Sequence, residues 1–178
     1  MKDTEILKKI EKFLKIKFVN QNIVGHNNYT YKLNRKNRIS DLSIRDAKLR
    51  GIKKLAFLIK HLTELRSLNL SINNISNISE LKFLTQLQRL DLSSNKIRDI
   101  RSLNSLTNLR TLQLNGNNLL EIPKLDNLSK LKYLQIVGNK INNVVNIEYL
   151  FNLEEINLAN NKIRAISSIG KLKKLKFW

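Results

Sequence analysis

Residues 87–108 read LQRLDLSSNKIRDIRSLNSLTN, and the spacing within this stretch decides the fold. Leu90 and Leu92 alternate with Arg89, Asp91 and Ser93, which is the period-2 pattern of a short half-buried strand. Beyond the strand the period changes. Ile97, Ile100, Leu103 and Leu106 recur every three residues, a spacing that suits a 3₁₀-like return better than an α-helix. Roughly twelve residues carry the chain back to the next strand, too few for a long crossover helix, so stacked copies build a shallowly curved solenoid.

The stretch is one of several copies. Shifted by 22 residues, the sequence aligns on itself from Leu65, Leu87, Leu109, Leu131 and Leu153, and a further copy begins at Leu175. Each follows LxxLxLxxNxIxxIxxLxxLxx, with Ile, Leu and Val exchanging at the apolar positions. Asn73, Asn95, Asn117, Asn139 and Asn161 recur where the chain turns inward. A buried side-chain amide at that point can bond turn backbone groups that no sheet satisfies, so these residues read as a structural ladder. Upstream, Ile39, Leu42, Ile44, Leu49, Ile52 and Leu55 repeat the pattern with Ala47 in the Asn position and four extra residues before Leu65. Residues 39–64 therefore read as a degenerate first repeat, 65–174 as five full repeats and 175–178 as a partial one.

The motif resembles the leucine-rich repeat family over residues 39–178, and its 22-residue period resembles the bacterial internalins and a regulatory subunit of protein phosphatase. The resemblance implies an α/β fold, a right-handed leucine-rich-repeat solenoid with a parallel concave β-sheet and short 3₁₀ or helical convex segments. It also implies a non-enzymatic module that binds a protein partner on the concave sheet.

Residues 1–38 read as an N-terminal cap. Asp3 is placed to cap a helix whose Ile6, Leu7, Ile10, Phe13 and Leu14 share one face, with Lys8, Lys9, Lys12 and Lys15 outside. Tyr29, Tyr31 and Leu33 alternate before an NRKN turn, which predicts a strand that hairpins onto residues 39–44. At the other end Leu175 to Trp178 stop inside a repeat. Either a short final strand forms an exposed edge or the natural protein is longer.

Composition narrows the function. Leu, Ile and Asn together make 78 of 178 residues, against 5 Gly and 1 Pro, a skew typical of a repeat. The absence of Cys removes disulfides, thiolate metal sites and cysteine nucleophiles, and no cofactor is expected. His26 and His61 are far apart and sit in no catalytic context, so both read as surface or packing residues. Gly25, Gly51, Gly116, Gly138 and Gly170 form no phosphate-binding loop; Gly116 and Gly138 share one repeat position and read as turn residues. No signal peptide and no membrane span are evident, which points to a cytoplasmic protein, expected to be a monomer.

Charge is the one feature that argues for another partner. The chain carries 33 basic and 14 acidic residues, a net of +19. Lys96, Lys140 and Lys162 directly follow the ladder Asn, with Lys48 equivalent, and Arg50, Arg98 and Arg164 stand two residues on. They form an interrupted basic rim that could grip phosphates, so nucleic acid or another polyanion is the alternative partner, with the cap helix contributing. A role as the targeting domain of a longer multidomain enzyme is a further alternative. The strand face favours a protein. Its outward and flanking positions balance Arg45, Arg66, Arg89, Arg110 and Lys132 against Asp41, Asp46, Asp91, Glu154 and Glu155. The candidate partner-binding residues on that face are Arg89, Asp91, Thr111, Gln113, Tyr133, Gln135, Val137, Glu155, Asn157 and Phe177, a mixture of polar and large apolar groups suited to a protein surface.

Overall fold

The computed structural model describes residues 2–21, 28–165 and 167–176. Among the described residues eight strands lie in chain order in one sheet: β1 (Val19–Asn20), β2 (Tyr29–Leu33), β3 (Ile39–Ile44), β4 (Ser67–Asn69), β5 (Arg89–Asp91), β6 (Thr111–Gln113), β7 (Tyr133–Gln135) and β8 (Glu155–Asn157). β2 and β3 form an antiparallel hairpin, and every other neighbouring pair is parallel. This is a leucine-rich-repeat solenoid, and β4 to β8 advance by 22 residues with no slip in register. The central residue of each of these strands, Leu68, Leu90, Leu112, Leu134 and Ile156, points inward and is buried. The apolar residues of the return segments close the core from the other side; Ile97, Ile100, Leu103 and Leu106 are all buried.

The Asn ladder bonds backward as well as locally. Asn95 Oδ1 accepts the Ile75 N–H of the preceding repeat at 3.0 Å, while its Nδ2 donates to the carbonyls of Leu70 and Leu92, both at 3.0 Å. Asn73, Asn117, Asn139 and Asn161 make the same set of bonds. Since each amide serves the repeat before it, Asn73 already supports the turn at Ala47 and Leu49. The first repeat follows a hairpin, where no preceding turn needs an amide, and Ala47 suffices.

The convex side varies. Short 3₁₀ turns occupy Ser79–Phe83, Arg101–Ser105, Ile147–Tyr149 and Ser167–Lys171. The four extra residues of the first repeat lengthen its return segment into an α-helix, α2 (Lys53–Ile59), which buries Leu55, Ala56 and Ile59. No 3₁₀ turn forms in the repeat that contains Pro123, and Glu121 instead pairs with Asn143 in an isolated parallel bridge. The cause is local. Ile78 and Ile100 enter their turns at ψ near 16 and 13 degrees, and a residue preceding proline is driven out of that region toward extended ψ.

At the N-terminus, α1 (Asp3–Leu14) packs Ile6, Leu7 and Ile10 onto the core and leaves Lys8, Lys9 and Lys12 outside. The expected cap at Asp3 is corrected. Lys2 occupies the N-cap position, and its backbone N–H donates to the Glu5 carboxylate. Asp3 lies inside the first turn at 5% exposure, where its carboxylate takes two bonds from the Arg38 guanidinium and one from the Ile39 N–H. A burial-free helix start would favour a capping role; here the ion pair with the hairpin wins. The helix ends at Lys15, which adopts a left-handed conformation at φ 55 degrees. Asn34 holds the predicted NRKN turn by accepting the N–H groups of Lys36 and Arg38.

One backbone position is left-handed in every repeat. Asp46, Ile72, Ser94, Gly116, Gly138 and Asn160 all have positive φ. Glycine and asparagine accept that region, whereas a β-branched side chain is strained in it. Ile72, at φ 54 degrees and 39% exposed, is the misfit.

Two stability changes follow. Replacing Asn117 with Ala strands the Ile97 N–H and leaves the Leu92 and Leu114 carbonyls only their second amide donors, Asn95 and Asn139, and urea unfolding should show a loss of about 1 to 3 kcal/mol. Ile72→Asn should do the reverse, raising stability by about 1 kcal/mol as the strain is relieved and little burial is given up; an unchanged or lower midpoint would show that the position tolerates its isoleucine.

Candidate interaction face

The outward side chains of the sheet form two columns. The strand register aligns Asp41, Ser67, Arg89, Thr111, Tyr133 and Glu155 in one, and Ser43, Asn69, Asp91, Gln113, Gln135 and Asn157 in the other. Neighbours in a column are about 4.8 Å apart, the spacing of hydrogen-bonded strands. Eight of the ten residues singled out from sequence thus lie side by side on β5 to β8. Val137 follows on from β7, half-buried, with its N–H bonded to Asn115 Oδ1 at 2.8 Å. Phe177 lies outside the described residues, as does His26.

The second column is partly committed to holding the chain. Asn69, Asp91 and Asn157 each accept the backbone N–H two residues on, in bonds of 2.8 to 3.0 Å that shape the turn leaving the strand. Gln113 and Gln135 are too long for that bond. Gln135 instead donates to Glu155 Oε1 at 2.8 Å.

Two cations of this face, Arg89 and Lys132, pair with its acidic residues. Arg89 reaches over Ser67 to Asp41 at 3.3 Å. Glu154, which flanks the first column, takes Lys132 at 2.6 Å and Lys176 at 3.7 Å on its two oxygens. The hydrogen bond from Lys132 holds the Glu154 carboxyl below the ordinary carboxylate range, and the same contact raises the Lys132 ammonium. Tyr133 is the large side chain of the face, 40% exposed between Thr111 and Glu155.

The basic rim is also in register. The N–H groups of Asn74, Lys96, Asn118, Lys140 and Lys162 bond in turn to the preceding repeat, which sets Lys140 and Lys162 side by side and places Asn118 between Lys96 and Lys140. Lys48, Arg50, Arg98 and Arg164 are exposed as well. His61 is a surface residue whose ring meets Phe57 edge-on at 5.8 Å. A second side-chain ladder escaped the sequence reading. Gln86, Asn108 and Asn152 donate to the carbonyls of Leu62, Thr85 and Ser129 just before each strand, and Lys130 and Lys174 bond to Asn108 and Asn152. Its signal was present as Gln, Asn, Lys, Asn and Lys at positions 86, 108, 130, 152 and 174. Among the described residues no cluster of His, Cys, Asp or Glu could hold a metal ion, and no helix is long and apolar enough to cross a membrane.

Comparison with known proteins agrees with the geometry. A family model of leucine-rich repeats in two copies matches residues 63–105 and 85–127, and a single leucine-rich repeat model matches residues 152–172. No curated protein matches. Among solved structures, a leucine-rich repeat protein of Leptospira interrogans is 32% identical, with a TM-score of 0.67, over 72% of this chain and 33% of that one. Two internalins of Listeria monocytogenes are 28% and 26% identical, each with a TM-score of 0.59. They match 78% and 98% of this chain, and the chain covers 70% and 55% of them. The chain thus spans only a third of the Leptospira protein it resembles.

Because Lys132 supplies the first cause of the Glu154 shift, Lys132→Met should move the Glu154 titration, followed by carboxyl carbon NMR, upward toward the ordinary range, and Lys176→Met should move it less. The sign is that of a depressed carboxylate: the contribution is present above the ordinary pKa and fades as pH falls through the lowered one. Equal shifts in the two variants would refute the assignment.

Proposed function

We propose that the chain, a leucine-rich repeat protein of the internalin-like type, is a protein-interaction module that binds its protein partner on the strand face, at the half formed by β6, β7 and β8. What carries this reading is Tyr133, a large half-exposed ring on a face of balanced charge where Arg89 is paired with Asp41 and Lys132 with Glu154. A tyrosine offers a wide rigid contact surface at low entropic cost. Gln113 on β6 and Gln135 on β7, paired in the second column, supply amides that fix orientation. The equivalent residues on β3 to β5, Asp41, Ser67 and Arg89, supply no ring. Such modules are typically non-enzymatic, and recognition in this reading needs neither cofactor nor metal. We read residues 1–38 as a cap that covers the first repeat, and the protein as a monomer.

The paired charges also bear on the polyanion alternative. A face of neutral balance gives a polyanion no reason to dock there, so nucleic acid would have to use the rim, where Lys140 and Lys162 stand together and Asn118 breaks the row.

Affinity capture from a lysate of the source cell, with variants as controls, tests the assignment. Tyr133→Ala should weaken partner binding by about 2 kcal/mol, roughly thirty-fold, with the thermal midpoint nearly unchanged, and Ser67→Ala should do almost nothing. A partner that tolerates Tyr133→Ala and is lost on Lys140→Glu with Lys162→Glu would move the site to the rim.

A further inference from the structure

An apolar groove of about 420 Å³ opens on the convex side between α2 and the turn Ser79–Phe83. Ala56, buried on the core side of α2, forms its floor, and Phe57 and Phe83 form its walls at 59% and 58% exposure. The scaffold does not demand rings here. The position of Phe83 recurs as Ser105, Asn127, Tyr149 and Lys171 in later repeats, so a polar residue serves the fold as well. Two phenylalanines more than half in water, facing one concavity, have the form of a recognition surface.

The border of the groove states the charge of its occupant. Lys53, Lys54 and Lys60 line it against a single carboxylate, Glu80. Among the described residues none of the three lysines is held in an ion pair. Two of them lie over rings instead: Lys60 Nζ is 4.1 Å from the centroid of Phe57, and Lys54 Nζ is 4.4 Å from that of Phe13 on α1. Lys82 caps Phe83 in the same way at 5.1 Å. An exposed cation–π contact is worth only about 0.5 to 1 kcal/mol, so these ammonium groups exchange readily to an incoming carboxylate while the rings stay in place.

We propose that this groove is a second interaction site, taking a short acidic peptide segment of a partner protein with one bulky apolar side chain seated between Phe57 and Phe83. The concavity selects the peptide over an anionic bilayer. A flat lipid surface would meet the ring edges and leave the space above Ala56 empty, whereas a single side chain fills it and its flanking carboxylates reach the lysines. The site does not depend on the strand face.

Selection of displayed random peptides on the intact protein tests it. Enriched sequences should combine Asp or Glu with Trp, Phe or Leu, and their binding, read by fluorescence anisotropy, should fall about tenfold or more in Phe57→Ala with Phe83→Ala and again in Lys53→Glu with Lys60→Glu, while Tyr133→Ala leaves it unchanged. The thermal midpoint checks the fold of each variant, and the lysine pair, exposed and outside the core, carries the test if the phenylalanine pair is destabilised. The proposal is overturned if no peptide is enriched, if the enriched peptides lack acidic residues, or if they survive both double substitutions. Binding to phosphatidylserine vesicles that is lost in the same variants, with no peptide selected, would assign the groove to a membrane and overturn it equally.

Discussion

Every full repeat after the first carries one ladder amide, buried at Asn73, Asn95, Asn117 and Asn139 and half-buried at Asn161. A turn that leaves a strand and enters the core exposes N–H and C=O groups to an apolar interior, and an unpaired buried backbone group costs about as much as a lost hydrogen bond. The ladder Asn satisfies an N–H with its oxygen and carbonyls with its nitrogen, and it does so across the boundary between repeats. It therefore fixes the offset of one coil on the next as well as the shape of its own turn. The register of β4 to β8 follows from that offset, and with it the alignment of the outward columns. An insertion is tolerated only away from the ladder, which is why the four extra residues of the first repeat appear as α2 on the opposite side.

The open end of such a stack needs a different solution. A first repeat has no earlier coil to cover its core, and the chain supplies α1 and the β2–β3 hairpin in its place. The two pieces are locked by Asp3, which would be costly to bury alone and is instead saturated by Arg38 and the Ile39 N–H. The same contact raises the Arg38 guanidinium further above its ordinary value. Removing either partner would leave a charge with no replacement, so helix and hairpin are held in one arrangement.

What could be read from sequence divides along the same line. Positions that recur every 22 residues sit in one environment many times, so the strand faces, the buried Leu and Ile, the Asn ladder and both outward columns were legible before any coordinates. Contacts made once were not. Asp3 and Arg38 are 35 residues apart and belong to no repeat, and the spacing that suggested a cap carried no information about the hairpin. The lost turn at Pro123 was legible in principle, since the restriction acts on the residue just before it, yet the period masked it. β1 pairs only two residues with β2 and leaves no pattern to find. The second ladder was hidden by substitution, because Gln and Asn that donate to backbone carbonyls share its positions with Lys residues that bond to the neighbouring Asn. The exposed rings of the convex side were hidden for the opposite reason: they break the periodicity, and a search for what repeats passes over them.

Those two classes of position also separate scaffold from recognition. The core residues would be the same for any partner, and the surface differs from face to face in charge. A net of +19 would be expected to leave every surface basic, but the strand face balances its cations with acidic residues, with Arg89 on Asp41 and Lys132 on Glu154. The excess must then lie on the rim, α1 and the convex side, where Lys96, Lys140 and Lys162 follow the ladder and Lys53, Lys54 and Lys60 surround the aromatic groove. Long-range attraction between such a molecule and an acidic partner acts wherever the partner approaches, and is weakened by salt beyond about 8 to 10 Å. Only short-range complementarity distinguishes one landing place from another. In the proposed reading that complementarity comes from large rings that meet water beside hydrogen-bonding or cationic groups, Tyr133 on the sheet and Phe57 and Phe83 on the far side.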